Sequence, residues 1–385
     1  MNEVVIVAAA RTAIGRGHPV KGMFRDASPH ELLATAYHGV LDQCGITGSD
    51  VDEVLAGCVQ QIGPQGTNIA RNAWLHAGLD VSVPASTVDT QCGASQQAVN
   101  LAAALIGSGA RDVVLAAGVE HMGLVPFASG VRIQQEYGDA VTPAMTNQHG
   151  LVPSQNLIGQ GPAAERIATQ WGISRAELDA WALRSHQLAD AATGRGDFER
   201  EIVGSERTDQ GIRPGTTLDT LAALDPPFVE NGRLTAGTSS QVSDGAAAVL
   251  LMSRARAAKL GITPRARVID HLVLGADPRM MLTAPIPLTH RLLQRNTLSI
   301  ADIDVTEINE AFASVVLAWL ADIGADQATV NPRGGAIALG HPLGASGARL
   351  ITTLIHELED LDAELGFVTM CCAGGLATGT LLQRI

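Results

Sequence analysis

Short runs of β-branched and apolar residues alternate along this chain with segments in which apolar positions recur every three or four residues. Val4–Ala8 predicts a strand. Pro29–Gln43 and Gly93–Ile106 predict helices. Three further strand-like runs lie in the same region, namely Val54–Ala56, Thr87–Asp89 and Asp112–Ala117. Strands that alternate with helices are typical of a layered α/β domain.

The same order of segments recurs about 250 residues further along the chain, which indicates an internal duplication. The matching pairs are Ser49–Val54 with Ala301–Thr306, Ser86–Asp89 with Ala328–Asn331, and Arg111–Ala117 with Leu365–Met370. We therefore predict two similar α/β halves, residues 1–117 (completed by about 242–258) and 259–385.

An insertion, residues 118–241, separates the two halves. It is rich in Gly, Pro and polar residues, as surface loops are. One clear helix is expected in it, from Arg175 to Ala192, with Ser174 and Glu177 as a capping box at its start. A long insertion over a rigid scaffold is a plausible substrate-binding lid.

Composition narrows the function classes. The chain has 385 residues, a net charge of −13 and 3% aromatic residues, which argues against nucleic-acid binding. An anionic ligand must therefore be held by local positive groups. Five cysteines without zinc-finger spacing indicate a reduced, cytoplasmic protein. Neither a signal peptide nor an apolar run of about 18 residues is present, so no membrane association is expected.

Cys92 is the first candidate for chemistry, because it lies where a predicted strand gives way to a helix of small residues. The positive end of the helix is expected to lower the pKa of a thiol there and to favour the thiolate. A free cysteine is also a common core residue, so this segment alone leaves both interpretations open.

His341 lies in a glycine-rich stretch, Asn331–Gly347, directly before Pro342. A residue before proline is driven towards an extended conformation, which can aim an imidazole into a site. A tight structural turn with an incidental histidine is the alternative.

Two further segments place polar residues where a predicted strand ends. Asn309 follows one such strand, and an ordinary helix N-cap is its simplest interpretation. Cys371 and Cys372 end another strand, just before Gly374. Vicinal cysteines are compatible with packing or with a redox pair, whereas a metal site is disfavoured because no other cysteine completes a ligand pattern.

In this order the four segments resemble the motifs of the thiolase family: a nucleophilic Cys, Asn-Glu-Ala-Phe, Gly-His-Pro-x-Gly-x-Ser-Gly, and a Cys before a glycine turn. The resemblance covers essentially the whole chain, including Val5–Gly15 and Gly237–Ala247. It implies the thiolase fold, an α/β fold of five layers (α-β-α-β-α) with two duplicated halves and an inserted loop domain. It also implies acyl transfer between coenzyme A and a cysteine, with acyl-CoA and CoA as substrates and with no cofactor or metal.

The resemblance also assigns roles. Cys92 resembles the nucleophile that carries the acyl group, and His341 the base that takes its proton. Cys371 resembles the acid/base that serves the α-carbon of acetyl-CoA. Asn309, through a water, and His341 would form one oxyanion hole, and the backbone N–H groups of Cys92 and Ala373 the second.

Coenzyme A is expected to lie against the insertion. By resemblance, Ser240 would contact the pantetheine and Arg213 the nucleotide end. Phe228, Ala311 and Phe312 match three apolar positions that line the coenzyme A site in the family. Ala236 belongs to the same loop as Ser240. Ordinary loop residues are the alternative for both Arg213 and Ser240.

Some positions depart from the common family pattern. Thr238 replaces an Asn, His121 a Ser, and Ala373 the first glycine of a triplet, where its Cβ restricts φ. The Thr238–Gln241 run and the Thr378–Thr380 ending look closer to actinobacterial degradative thiolases, including those for steroid side chains. An alignment with the family motifs without a gap favours Cys371 as the acid/base. Cys372-Ala373-Gly374-Gly375 nevertheless looks like the family's Cys-x-Gly-Gly motif, and this would favour Cys372 instead.

Degradative thiolysis in fatty-acid or steroid side-chain β-oxidation is the function expected from this resemblance, in a homotetramer or homodimer. The alternatives are a biosynthetic acetoacetyl-CoA thiolase, a ketoacyl-ACP synthase of the same fold, and a non-catalytic thiolase-like acyl-CoA-binding protein. The last should lack one of the four candidate residues, and all four are present.

Overall fold

The computed structural model describes residues 2–127, 129–151 and 159–385. The strands in this part are β1 Val4–Thr12, β2 Gly15–Arg16, β3 Glu53–Gly57, β4 Ala85–Val88, β5 Val113–His121, β6 Ile202–Val203, β7 Ser243–Ser253, β8 Ala266–Gly275, β9 Val305–Ile308, β10 Leu365–Cys372 and β11 Leu376–Arg384. The helices are α1 Pro29–Cys44, α2 Ile69–His76, α3 Ala94–Gly107, α4 Ser129–Tyr137, α5 Pro143–His149, α6 Gln160–Gln170, α7 Arg175–Arg195, α8 Leu218–Ala222, α9 Arg254–Leu260, α10 Pro285–Arg295, α11 Ala313–Ile323, α12 Ala336–Leu339 and α13 Ser346–Asp360.

The strands pair in the same order in both halves of the chain. In the first half the order is β4-β3-β5-β7-β1, with parallel pairs around β3 and antiparallel pairs around β7. In the second half it is β9-β10-β11-β8, and a parallel bridge from Thr306 to Val330 takes the place of β4. The halves join where β1 pairs with β8, opposite Arg267 and Ala266.

Five layers follow from the alternation of side chains along these strands. Val5 and Val7 of β1 pack outward in a cluster with α1 and α2. Val4 and Ile6 face the centre, where α3 and α13 lie between the two halves of the sheet. On the far side the second half of the sheet packs against α10 and α11, and α6 and α7 cover α11. The α/β fold of five layers is therefore confirmed.

The predicted strands and helices agree with the observed ones to within a few residues, except at the insertion. β5 continues to His121, so the sheet reaches past residue 118. The expectation of one clear helix in residues 118–241 is wrong, because α4, α5, α6 and α8 accompany α7. In α6, Pro162 lies in the first turn, where a proline does not break a helix.

Helix α7 has the predicted start. The Ser174 side chain accepts from the Glu177 N–H, and Glu177 Oε2 accepts from the Ser174 N–H at 2.7 Å.

Helices α4 and α5 bury no residue within the described part of the chain. None of the described helices is both long and apolar enough to cross a membrane.

Candidate active site

The candidate residues meet where the two halves of the chain face each other. Cys92 comes from the first half, in the turn between β4 and α3, and the other three catalytic candidates, Asn309, His341 and Cys371, come from the second. Gln91 has a left-handed φ of 52°, which turns the chain sharply before Cys92. A Cβ added at Gly93 would lie 2.7 Å from Cys372 Sγ, so the turn is pressed against the β10–β11 hairpin.

The expectation of a low pKa at Cys92 is wrong. Burial raises the pKa of this thiol to about 12, and the nearby Cys371 adds to the rise. The backbone N–H groups of Ala373 and of Cys92 itself favour the thiolate and oppose the rise. The side chain is only 1% exposed, and loss of hydration outweighs the helix dipole at this depth. Cys92 is therefore a neutral thiol at rest and needs a base.

His341 is held by its backbone and by one ring nitrogen. Its N–H lies 3.1 Å from both Gln241 O and Ser243 Oγ, and its Nδ1 is 2.5 Å from Ser346 Oγ. Ser346 Oγ also lies 2.9 Å from Pro342 O. Both bonds form together only when Nδ1 carries the proton and the serine donates to the carbonyl. Nε2 is then the unprotonated nitrogen.

The imidazole is neutral at physiological pH. Burial lowers the pKa of His341 to about 3, and the positive charge of Arg349 contributes to the shift. A neutral ring with a free Nε2 can accept a proton and then donate the same proton as a hydrogen bond.

Asn309 links His341 to Cys371. Its Nδ2 lies 3.5 Å from His341 Nε2 and 3.8 Å from Cys371 Sγ. The N-cap interpretation is wrong, because α11 begins only at Ala313 with Phe312 as its N-cap residue. Asn309 is fully buried, and its Oδ1 has no hydrogen-bond partner among the described residues.

Adjacent cysteines on β10 face opposite layers. Cys371 belongs to the outer cluster of the second half and contacts Asn309, whereas Cys372 belongs to the central cluster and touches the turn at Gly93. Burial raises the pKa of Cys371 to about 11, and the Asn309 side chain opposes this. The geometry thus gives Cys371 the position beside Asn309 and His341.

The hairpin turn after Cys372 accommodates alanine at position 373. The left-handed φ angles of the turn, 81° and 77°, fall on Gly374 and Gly375. The Ala373 Cβ therefore causes no backbone strain, and the N–H of this residue faces the Cys92 sulfur.

Two buried carboxylates, which the sequence interpretation did not identify, fix the loops that carry these side chains. Glu310 accepts hydrogen bonds of 2.7–3.1 Å from Trp181 Nε1, Ser185 Oγ, Asn331 Nδ2 and Ile337 N. Glu120 accepts from Val59 N, Gln60 N, Gln65 Nε2 and Gly344 N at 2.9–3.0 Å. In the sequence, the only sign that Glu310 and Glu120 fix these loops is that each is an acidic residue with apolar neighbours.

Most of the expected coenzyme A contacts are neighbours of one another in the fold, whereas Arg213 contacts a different residue. Ser240 N donates to Ala311 O at 3.0 Å, and Phe228 meets Phe312 edge-on at 5.6 Å between ring centroids. Ala236 is exposed on the same loop as Ser240. Arg213 is exposed, and its N–H lies 3.2 Å from His186 Nδ1. The described residues contain no cluster of three or more metal-ligating side chains.

Comparison with known proteins gives a consistent family match. The models described as "Thiolase, N-terminal domain" and "Thiolase, C-terminal domain" match residues 4–255 and 262–384. A steroid 3-ketoacyl-CoA thiolase of Mycobacterium tuberculosis, FadA6, is 45% identical over all of this chain and 95% of its own length. A 3-ketoacyl-CoA thiolase of Klebsiella pneumoniae is 43% identical, with full coverage of both chains.

A solved structure agrees with these relatives. The acetyl-CoA acetyltransferase of Bacillus anthracis superposes with a TM-score of 0.89 at 34% sequence identity, covering 100% of this chain and 99% of that one.

The buried neutral imidazole predicts a pH dependence of stability. The pKa of His341 is about 3 in the fold and roughly 6.5 when unfolded, so the unfolded chain binds more protons below pH 6.5. Stability should therefore fall as the pH drops, and His341 should account for about 2 kcal/mol of the loss between pH 7.5 and pH 5. Urea unfolding at both pH values measures it.

In His341→Gln, the free energy of unfolding should fall by about 2 kcal/mol less between pH 7.5 and pH 5 than in the wild type. His38→Gln, at an exposed histidine, should lose as much as the wild type. Equal losses in wild type and His341→Gln would contradict a neutral buried imidazole.

Proposed function

The chain belongs to the thiolase family, and from this premise we propose that it cleaves 3-ketoacyl-CoA by thiolysis, with Cys92 as acyl carrier. The observation that carries the proposal is the contact chain from His341 Nε2 through Asn309 Nδ2 to Cys371 Sγ, buried next to Cys92. A base, an amide and a second thiol thus form one chain of contacts, and the second thiol lies close enough to Cys92 to raise its pKa.

In the first half-reaction Cys92 loses its proton to His341 Nε2. The thiolate attacks the ketone carbon of the substrate, and the bond between the α-carbon and that carbon breaks. Acyl-Cys92 remains, and the electron pair passes to the α-carbon as an acetyl-CoA enolate. The Cys371 thiol protonates this carbon, and its raised pKa keeps it in the protonated form that the step needs.

In the second half-reaction a CoA thiol gives its proton to the Cys371 thiolate and attacks the thioester carbonyl of acyl-Cys92. The shortened acyl-CoA forms as the Cys92 thiolate leaves, and this thiolate regains its proton from His341. The cycle therefore returns all three groups to their starting state without a redox change.

Two sets of donors stabilise the negative oxygens that form on the way. Once protonated, His341 Nε2 becomes a donor beside Asn309, and the N–H groups of Cys92 and Ala373 face the sulfur that carries the acyl group. Fixed donors of this kind contribute a few kcal/mol each, because they need no reorganisation during the reaction.

Coenzyme A, a substrate of this family, is proposed to lie across Ser240, Ala236 and the wall of Phe228, Ala311 and Phe312, with its phosphates towards Arg213. Partial burial lowers the pKa of Arg213, and the positive charge of the nearby Arg16 adds to the shift. Two neighbouring cations supply a local attraction for phosphate on a chain with a net charge of −13.

Two relatives are named as a 3-ketoacyl-CoA thiolase and a steroid 3-ketoacyl-CoA thiolase, and these names support a degradative role. Fatty acyl or steroid side-chain substrates are proposed for this chain. Five free cysteines, four of them buried or acting in the site, support a reducing cytoplasmic setting.

A dimer or tetramer is proposed as the working assembly. Helices α4 and α5 bury none of their residues in their own chain, and Ile133 and Tyr137 of α4 are exposed. Short helices are marginal in water unless they pack against something, and β4 leaves a half-exposed edge on the sheet. A second copy of the chain would cover both.

Incubation with acetyl-CoA should place one acetyl group on the peptide that contains Cys92, as peptide mass spectrometry can show. Cys92→Ala should lose this label and the thiolysis of 3-ketoacyl-CoA, whereas Cys58→Ala, at another buried cysteine, should keep both. Unchanged labelling in Cys92→Ala would refute the acyl-carrier role.

The rates of thiolysis for a set of 3-ketoacyl-CoA substrates of increasing size would identify the preferred acyl group. Binding of these substrates without turnover would favour a non-catalytic protein.

Of the two vicinal cysteines, Cys371 should carry the proton. Cys371→Ala should lower the thiolysis rate by roughly two to four orders of magnitude, the usual contribution of acid/base catalysis. Cys372→Ala should keep most activity, with a packing loss of about 1 kcal/mol measured by thermal unfolding. The reverse pattern would place Cys372 in the site.

Light scattering should find a dimer or tetramer. Ile133→Glu combined with Tyr137→Glu should reduce the assembly, because both changes place charges on the uncovered face of α4. Leu361→Glu, at a leucine that is 60% exposed elsewhere, should leave it intact. An active wild-type monomer would contradict the proposal.

A further inference from the structure

A buried ion pair lies directly behind the site. Arg349 on α13 is 2% exposed and Glu307 on β9 is fully buried, and Arg349 Nη1 lies 3.2 Å from Glu307 Oε2. The reaction described above uses neither side chain. Breaking such a pair is costly, although an apolar pair of similar volume is often at least as stable, so stability alone does not explain it.

The pair joins the two segments that present Asn309 and His341. Glu307 precedes Asn309 by two residues, so both side chains leave the extended chain on the same side. Ser346, which holds His341 Nδ1, precedes Arg349 by three residues on the same helical face. The ion pair therefore ties the strand that ends at Asn309 to the helix that holds His341.

Arg349 is also incompletely neutralised. Among the described residues its Nε and Nη2 atoms have no hydrogen-bond partner, and neither has Glu307 Oε1. An arginine with one bond in a dry interior exerts a strong field on its neighbours. His341 is such a neighbour, since Arg349 contributes to its lowered pKa.

Other charged groups face this pair from every adjacent element. They are Glu310 after β9, Glu357 on α13, Glu201 before β6 and Arg333 before α12. Burial raises the pKa of both Glu307 and Glu357, but at Glu307 the Arg349 charge opposes the rise and favours the carboxylate of the ion pair. At His341, Arg349 adds to the effect of burial, the larger cause of the lowered pKa.

We propose that Arg349 and Glu307 are a positioning pair for the reaction: their contact sets the spacing between His341 and Asn309, and the Arg349 charge keeps His341 unprotonated until Cys92 delivers its proton. The inference rests on the proposed function for its catalytic consequence. Its electrostatic part concerns only the resting protein.

The test is the pH dependence of Cys92 alkylation by iodoacetamide, an uncharged reagent that needs no acyl-CoA, followed by mass spectrometry of the Cys92 peptide. The thiolate is the reacting species and the pKa of Cys92 is about 12, so the wild-type rate should rise smoothly from about pH 4 to pH 8, without an inflection from His341, whose pKa is about 3. Burial is the larger cause of this low pKa and Arg349 the second, so removing the cation should raise the pKa of His341 part of the way towards roughly 6.5. Arg349→Met should therefore acquire an inflection in this pH range, and Arg349→Lys should keep the smooth wild-type profile.

The kcat for thiolysis tests whether the pair sets the spacing between His341 and Asn309. Arg349→Met and Glu307→Gln should each lower kcat for thiolysis about tenfold or more, since loss of orientation weakens the base and its donor together, with KM for CoA unchanged. Glu357→Gln is the matched control, because it alters an equally buried carboxylate two turns further along α13. This control should keep both the wild-type profile and kcat.

Each outcome has a defined meaning. An Arg349→Met profile that overlays wild type, or an equal shift in Glu357→Gln, would overturn the inference. If Arg349→Met does not fold, the double variant Arg349→Met/Glu307→Gln removes both charges and should show the same inflection in its rate profile. If the wild type alkylates normally but does not cleave 3-ketoacyl-CoA, the proposed function fails while the pH profiles still decide the role of the pair.

Discussion

The close approach of backbone to backbone between the two halves is the constraint on which the site depends. A Cβ added at Gly118 would lie 2.0 Å from Gly344 O, and one added at Gly344 would lie 2.5 Å from Val119 O. Only glycine on both sides lets the loop of His341 rest on the sheet of the first half. Because Cys92 belongs to that half, a side chain at either glycine would shift the loop of His341 relative to Cys92.

The same close packing makes the interior dry, and dryness decides the protonation states. Burial raises the pKa of both site thiols and lowers that of His341, so the groups are neutral together. A neutral site avoids the cost of burying separated charges. Charge then appears only when substrate is present, at positions where N–H groups are already fixed.

The sequence predicts the local features of this protein well. Periodicity locates the core strands and helices, and four short motifs locate Cys92, His341, Asn309 and Cys371, which the structure brings together. Helix α6 was missed because its Gly161-Pro162 start resembles a loop. The pKa of Cys92 was predicted in the wrong direction, because helix polarity is a local property whereas burial by the second half is not.

Long-range partners could not be predicted for the same reason. Glu310 meets Trp181 and Ser185 across more than a hundred residues of sequence, and no spacing rule connects them. Ser346 lies within a recognised motif, but its bond to His341 Nδ1 depends on the turn at Pro342. Arg349 stands out only as a charge among the apolar positions of α13.

Position 373 shows that a functional group can be independent of residue identity. Its contribution is an N–H, which every residue except proline supplies, and the two glycines that follow take up the left-handed geometry of the turn. A glycine at this buried position would supply the same donor. The requirement here is therefore a path of the main chain with room for a small residue, and not a particular side chain.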